Sequence, residues 1–211
     1  MRSNMNDIRI AVVGVGRMGV THAENLARRV RGARLVAVTT SQEARAAEAQ
    51  ARCGPVAVYR DLEALLEAAS SGTVALDAVC ISSSTSAHAD NVVACAGAGL
   101  QIFCEKPLAL TLADCDRAIA AAEQGGVKLM IGHVRRFDAG HVEAKRAIEQ
   151  GAIGTPLVFR AISGDVDPPP PSFADPAVSG GLILDAMYHD LYLSRWLLDD
   201  EALRAYAEGG A

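Results

Sequence analysis

The chain has 211 residues, half of them apolar and 21% charged, with 20 Lys and Arg against 25 Asp and Glu for a formal net charge of −5. That length suits one or two domains with a packed core, and the composition excludes intrinsic disorder. An acidic balance without a basic tract, and aromatic residues at only 4%, exclude nucleic acid and an anionic membrane surface as expected partners. Met1–Asp7 is polar and unlike a secretory signal, and Gly, Ser or charge breaks every apolar run before the ~20 residues that span a bilayer. A soluble protein is expected. The five cysteines (Cys53, Cys80, Cys95, Cys104, Cys115) are scattered without CxxC or Cys/His spacing. They read as reduced, small apolar side chains in a cytoplasmic protein, with neither a disulfide framework nor a structural metal.

Short β-branched runs alternate with longer Ala-rich stretches of helical period. Strands are expected at Ile8–Val13, Leu35–Thr39, Val56–Tyr59, Asp77–Ile81, Leu100–Cys104 and Val127–Ile131. Between them the period predicts helices over Met18–Val30 and Gln42–Ala51, then one from Asp61, whose carboxylate is placed to cap it. Two more follow, one after the polar run Ser82–Ser86 and continuing to Ala98, the other over Leu112–Gln124. Strands separated by helices need crossovers, so the sheet is parallel and covered on both faces. Strands rich in Val, Ile and Ala without polar alternation agree with that burial. The expected fold class is α/β, a doubly wound parallel Rossmann sheet over residues 1–131. Residues 132–211 then read as the start of an incomplete α+β substrate domain. It has a helix at Ala139–Gln150, a strand at Pro156–Ile162, a stiff proline loop at Asp167–Pro176, a helix from Gly180–Gly181 through Leu198, and a strand at Leu203–Ala207.

Gly14-Val15-Gly16-Arg17-Met18-Gly19 lies between the first expected strand and helix, the context that gives a GxGxxG run its meaning. Gly14 permits the tight turn, Gly16 lets the backbone approach a pyrophosphate, and Gly19 lets helix and strand pack closely. The free N–H groups at the helix start then offer an anion site. A dinucleotide cofactor is expected. The fingerprint normally carries an acid some 20 residues on to grip the ribose diol. Here the second strand ends Val38-Thr39-Thr40-Ser41, with no acid before Glu43. Thr40 and Ser41 do not repel a 2′-phosphate and can donate to one, with Arg17 or Arg45 able to add charge, so both NAD and NADP are admitted.

Three further motifs carry a resemblance. They are Glu105-Lys106-Pro107, Gly132-His133-Val134-Arg135-Arg136-Phe137-Asp138, and Gly180-Gly181 followed by Asp185 and His189-Asp190. With the glycine run, they resemble the glucose–fructose oxidoreductase/inositol dehydrogenase/rhizopine-catabolism family across essentially the whole chain, and the stretches Asp167–Pro171 and Ser179–Trp196 look most like its inositol 2-dehydrogenase branch. The resemblance implies catalytic roles for Lys106, Asp185 and His189, with a cis peptide before Pro107. It implies cofactor contacts at Gly14, Gly16, Arg17, Met18, Gly19, Thr40, Ser41, Ser83, Glu105 and Lys106, and substrate contacts at Arg135, Arg136 and His189. Asp185 and His189 are four apart on an expected helix and so share a face. A histidine titrating near neutrality suits the removal of a hydroxyl proton while hydride leaves carbon. His88 recurs in the family and reads equally as a nicotinamide-side residue or a structural one.

His133 and Tyr192 depart from the residues common at their positions in the family. The larger departure is length: the relatives continue through several more strands, which wall the substrate pocket and commonly form a homo-oligomer interface. The expected activity is hydride transfer from a secondary hydroxyl of a cyclic polyol or sugar, inositol first, to NAD or NADP. A relative that uses transient oxidation for elimination or isomerisation is the alternative enzyme. A catalytically inactive cofactor-binding remnant is the alternative of a different class.

Overall fold

The computed structural model describes residues 7–164 and 175–209. Strands β1 (Ile8–Val13), β2 (Ala33–Thr39), β3 (Ala57–Tyr59), β4 (Ala78–Ile81), β5 (Gln101–Cys104) and β6 (Leu129–Ile131) are parallel and pair in the order β3-β2-β1-β4-β5-β6. They are joined by α1 (Arg17–Arg28), α2 (Glu43–Cys53), α3 (Leu62–Ser70), α4 (Thr85–Gly97) and α5 (Leu112–Gln124). This is the doubly wound order in which the chain reverses direction between β1 and β4, and ligands bind outside the carboxyl ends of those strands. Every expected element of this sheet is present, with ends shifted by one or two residues.

Successive strand side chains point to opposite faces. On β1, Ala11 and Val13 join one apolar cluster and Val12 the other. The Val12 side is closed by Ala23 of α1 and Ala49 of α2, and the opposite side by Leu65 of α3, Val92 and Cys95 of α4, and Ala118 of α5. Alanine at three of these helix positions, Ala23, Ala49 and Ala118, lets those helices lie close on a sheet that is buried on both faces. Asp61 caps α3 as expected, its carboxylate accepting the Ala64 N–H at 2.9 Å. At the other end of the sheet Asp77 accepts from the backbone N–H and Nε of Arg9, each at 2.8 Å, and so fastens β4 to β1. The Arg9 guanidinium holds the Asp77 carboxyl down at about 2.

The described residues separate into two compact units, 7–132 with 177–179, and 133–164 with 175–176 and 180–209. The second unit holds a 3-10 turn (Val134–Phe137), α6 (Ala139–Glu149) and a last helix, α8 (Tyr188–Leu198), which α6 packs against. Asp138 caps α6 by accepting the His141 N–H at 3.1 Å. The short α7 (Pro176–Ser179) begins on a proline, which suits a first helical position because its missing N–H is not needed there. Pro176, expected to close a loop, therefore opens a helix; the proline run of that loop lies outside the described residues.

Two expected strands are corrected. Residues 156–162 and 203–207 carry no strand. Leu157, Val158 and Leu203 are 90%, 83% and 96% exposed. Their β-branched and apolar pattern supplies propensity, but a strand also needs a neighbour to pair with, and neither segment has one among the described residues. The helix expected from Gly180 is present with a difference. Gly180 and Gly181 both take positive φ, +80° and +76°, and the first turns, Ile183–Met187, wind as a π-helix before α8 continues.

Candidate active site

The glycine turn is built as its sequence predicts, each glycine for its own reason. Gly14 has φ +85°, and a Cβ there would meet the Ser83 backbone at 2.7 Å. Close approach of the β1 and β4 ends thus requires glycine. A Cβ on Gly19 would strike the Gly14 carbonyl oxygen at 1.9 Å, whereas one on Gly16 would meet nothing within 4 Å. Gly16, Arg17 and Met18 are exposed while Val15 and Gly19 are buried. The open space lies over the amino end of α1, where N–H groups without helical partners face outward. These residues fit a dinucleotide pyrophosphate.

Thr39, at the end of β2, is buried and uses its hydroxyl to accept the Gly14 N–H at 3.0 Å, so it anchors the turn from beneath. Thr40 and Ser41 follow at the surface. The Thr40 hydroxyl accepts the Gln42 N–H at 3.2 Å and keeps its own proton to give. The first acid beyond them is Glu43, the first residue of α2.

Glu105, Lys106 and Pro107 leave the carboxyl end of β5, and the Lys106–Pro107 peptide is cis, as the resemblance implied. Glu105 accepts from His22 Nε2 at 2.7 Å through Oε1 and from the Lys106 N–H at 3.2 Å through Oε2. Burial pushes its carboxyl up, but the bond and charge of His22, with those of Lys106, leave it below the usual range. His88 is 1% exposed, with Nδ1 2.8 Å from the Pro107 carbonyl and Nε2 3.2 Å from that of Ser83. It is a structural clamp between the two turns. Ser83 accepts the Asn91 amide at 2.9 Å. Burial pushes the Cys80 and Cys95 thiols up to about 12, so these cysteines are inert packing groups.

In the second unit Asp185 falls in the π turn and His189 is the second residue of α8, keeping the pair on one continuous helix. Single π turns in helices recur at functional sites. Tyr188 stands edge-on to the His189 ring with centroids 6.2 Å apart. His133 stacks on Tyr192, centroids 3.8 Å apart and planes within 5°, and its Nδ1 is 3.4 Å from the Tyr188 hydroxyl. Burial lowers the His133 pKa, and the nearby charges of Arg136 and His189 lower it further. Arg136 lies over the Tyr192 and Trp196 rings at 5.2 and 5.6 Å, a cation–π arrangement. Arg135 is exposed on the 3-10 turn. Within this unit, then, the structure gathers His133, Arg136, Tyr188 and Tyr192 around the helix that carries His189.

Sequence reasoning missed Thr39 and His22. Thr39 was hidden by its neighbour Thr40, because nothing in the pattern tells which threonine turns inward. His22 comes three residues after Gly19, and no spacing rule links it to position 105.

Comparison with known proteins agrees with this geometry. Residues 8–133 match the family model described as "Oxidoreductase family, NAD-binding Rossmann fold", and residues 141–211 match the GFO/IDH/MocA C-terminal domain. The chain belongs to the GFO/IDH/MocA oxidoreductase family. It is 40% identical over 202 residues to myo-inositol 2-dehydrogenase of Thermotoga maritima, covering 96% of this chain and 58% of that protein. It is 36% identical to scyllo-inositol 2-dehydrogenase (NAD(+)) of Bacillus subtilis, with 97% and 58% covered. Among solved structures, a probable dehydrogenase from Thermotoga maritima superposes with a TM-score of 0.83 at 41% identity, covering 92% of this chain and 56% of that one. Scyllo-inositol dehydrogenase from Lactobacillus casei, with bound NAD(H) and scyllo-inositol, gives 0.75 at 30% identity, with 92% and 56% covered. The chain spans a little over half the length of these relatives.

Proposed function

We propose that this chain carries the cofactor-binding and proton-handling residues of an NAD-dependent dehydrogenase that oxidises a secondary hydroxyl of a cyclic polyol, with an inositol as substrate. The observation that carries the reading is the open approach over Gly16 at the amino end of α1, with Lys106 leaving a nearby parallel strand at the same carboxyl edge of the sheet. The kinship with inositol dehydrogenases supplies the substrate class.

Bound NAD supplies the hydride acceptor. The N–H groups at the start of α1 bind its pyrophosphate. The Lys106 ammonium donates a hydrogen bond to the oxygen of the reacting hydroxyl, orienting it and favouring the negative charge that develops as its proton leaves. An imidazole nitrogen of His189 takes that proton, and the Asp185 carboxylate orients the ring and favours its cationic form. The hydroxyl proton ends on His189, and the hydride acceptor that NAD would supply completes the oxidation of the carbinol carbon to a ketone.

The test is cofactor reduction by the 211-residue chain over a panel of inositols, other cyclic polyols and sugars, with Lys106→Met as control. Reduction of NAD by an inositol, lost in Lys106→Met, is the expected result. NAD binding without reduction by any member of the panel overturns the reading.

A further inference from the structure

His22 and Glu105 are 83 positions apart, yet they form a short, half-buried pair, 2.7 Å from Nε2 to Oε1, with side chains 24% and 17% exposed. The pair sits in a built recess. The Phe103 ring stands edge-on to the imidazole, centroids 5.5 Å apart, and packs against it. Gly132 lies close by: a Cβ there would come within 3.1 Å of Phe103 and 3.4 Å of the Glu105 carboxylate. The second carboxylate oxygen accepts the backbone N–H of Lys106 at 3.2 Å. His22 lies on α1, about one turn beyond Gly19, on the helix whose amino end fits the pyrophosphate. A continuous path of hydrogen bonds thus runs from the cofactor helix through His22 and Glu105 to the backbone of Lys106.

We infer that His22 is a positioning residue for Lys106, acting through Glu105. It refers the lysine's backbone to the helix that holds the cofactor. This rests on the proposed role of Lys106. His22 itself touches neither cofactor nor substrate in this assignment. It fixes where the lysine starts from, and a displacement of about 1 Å at a reacting group can cost ~10²-fold in rate.

Three variants test it. His22→Phe keeps a flat ring against Phe103 but donates no hydrogen bond. His22→Gln restores a donor at the reach of Nε2. Glu105→Gln completes a double-mutant cycle with His22→Phe. The first readout is amide hydrogen exchange at Lys106, with NAD affinity measured on the same samples, and the second is turnover. In His22→Phe, exchange at Lys106 rises by ~10-fold or more and kcat falls by ~10- to 100-fold, while the Kd for NAD stays within ~3-fold. His22→Gln returns both exchange and kcat to within ~3-fold of the parent, and His22→Phe adds little once Glu105 is already Gln. A general loss of packing gives a different pattern, in which Gln does not rescue. Should His22→Phe not fold, His22→Asn, whose amide falls short of Glu105, makes the same comparison. Unchanged Lys106 exchange in His22→Phe, or a folded His22→Gln that rescues neither readout, overturns the inference. If instead exchange responds as stated but Lys106→Met keeps full turnover, the reading of Lys106 has failed while the path to its backbone stands.

Discussion

The carbonyl oxygen of Gly14 stands 1.9 Å from the place a Cβ on Gly19 would occupy, so the start of α1 and the end of β1 are in contact that only a glycine permits. Two positions away in the same motif, Gly16 has nothing within 4 Å of its virtual Cβ. The same residue type thus serves packing at one position and an approaching ligand at the other.

The two glycines should separate stability from binding. Gly19→Ala is expected to destabilise the first unit by about 2 kcal/mol or more in urea unfolding, because backbone has to move. Gly16→Leu should stay within about 1 kcal/mol of the parent, the cost of a poorer residue at the helix cap, yet weaken NAD binding by at least ~100-fold. A Gly16→Leu chain that binds NAD as tightly as the parent would falsify the pyrophosphate assignment.

Cofactor choice should be modest and easily shifted. Thr40 places no negative charge at the end of β2, so NAD is expected to be preferred over NADP by less than ~100-fold, about 2.7 kcal/mol. Thr40→Asp supplies the missing acid, which both accepts from a ribose diol and repels a 2′-phosphate. Titration of both cofactors should show the preference for NAD rising at least ~10-fold, chiefly through loss of NADP. Equal affinities for the two cofactors in the variant would mean that the adenine ribose lies elsewhere.

Turnover should depend on His189 in the way a general base does. His189→Ala is expected to lower kcat by ~10²–10⁴ with NAD affinity unchanged. Steady-state kinetics with an inositol, together with a binding titration, checks both parts. Unaltered turnover would move the base to another residue.

His133 should titrate below the ordinary histidine range, since burial and the charges of Arg136 and His189 disfavour its cation. A depressed folded pKa means that the unfolded chain binds the proton more readily. The contribution of His133 to the stability of the second unit is therefore fully present above about pH 6.5 and is lost as pH falls through that value toward the folded pKa. An NMR titration of the His133 ring should give a midpoint below 6.5. A midpoint above 6.5 would contradict the stacked, half-buried environment beside Tyr192.

The first unit was largely legible because its signals are local and repeat. Ile8–Val13 reads as a buried strand from composition alone, the glycine run names its own turn, and Asp61 marks a helix start through a bond to a residue three positions away. The candidate residues Gly14, Gly16, Lys106, Asp185 and His189 were read from short motifs and a family resemblance. Tertiary structure decided what depends on distant partners. Residues 156–162 and 203–207 have the composition of strands and carry none, because a strand is stabilised by the neighbour it pairs with. His22 meets Glu105, and Arg136 lies over Tyr192 and Trp196, through packing that brings separate elements together. Between Thr39 and Thr40 one position chose burial and the Gly14 N–H over the surface. Periodicity and capping are written along the chain, within a few residues of where they act. Contacts between elements are set by the packing of whole faces, and no short run of sequence encodes that packing.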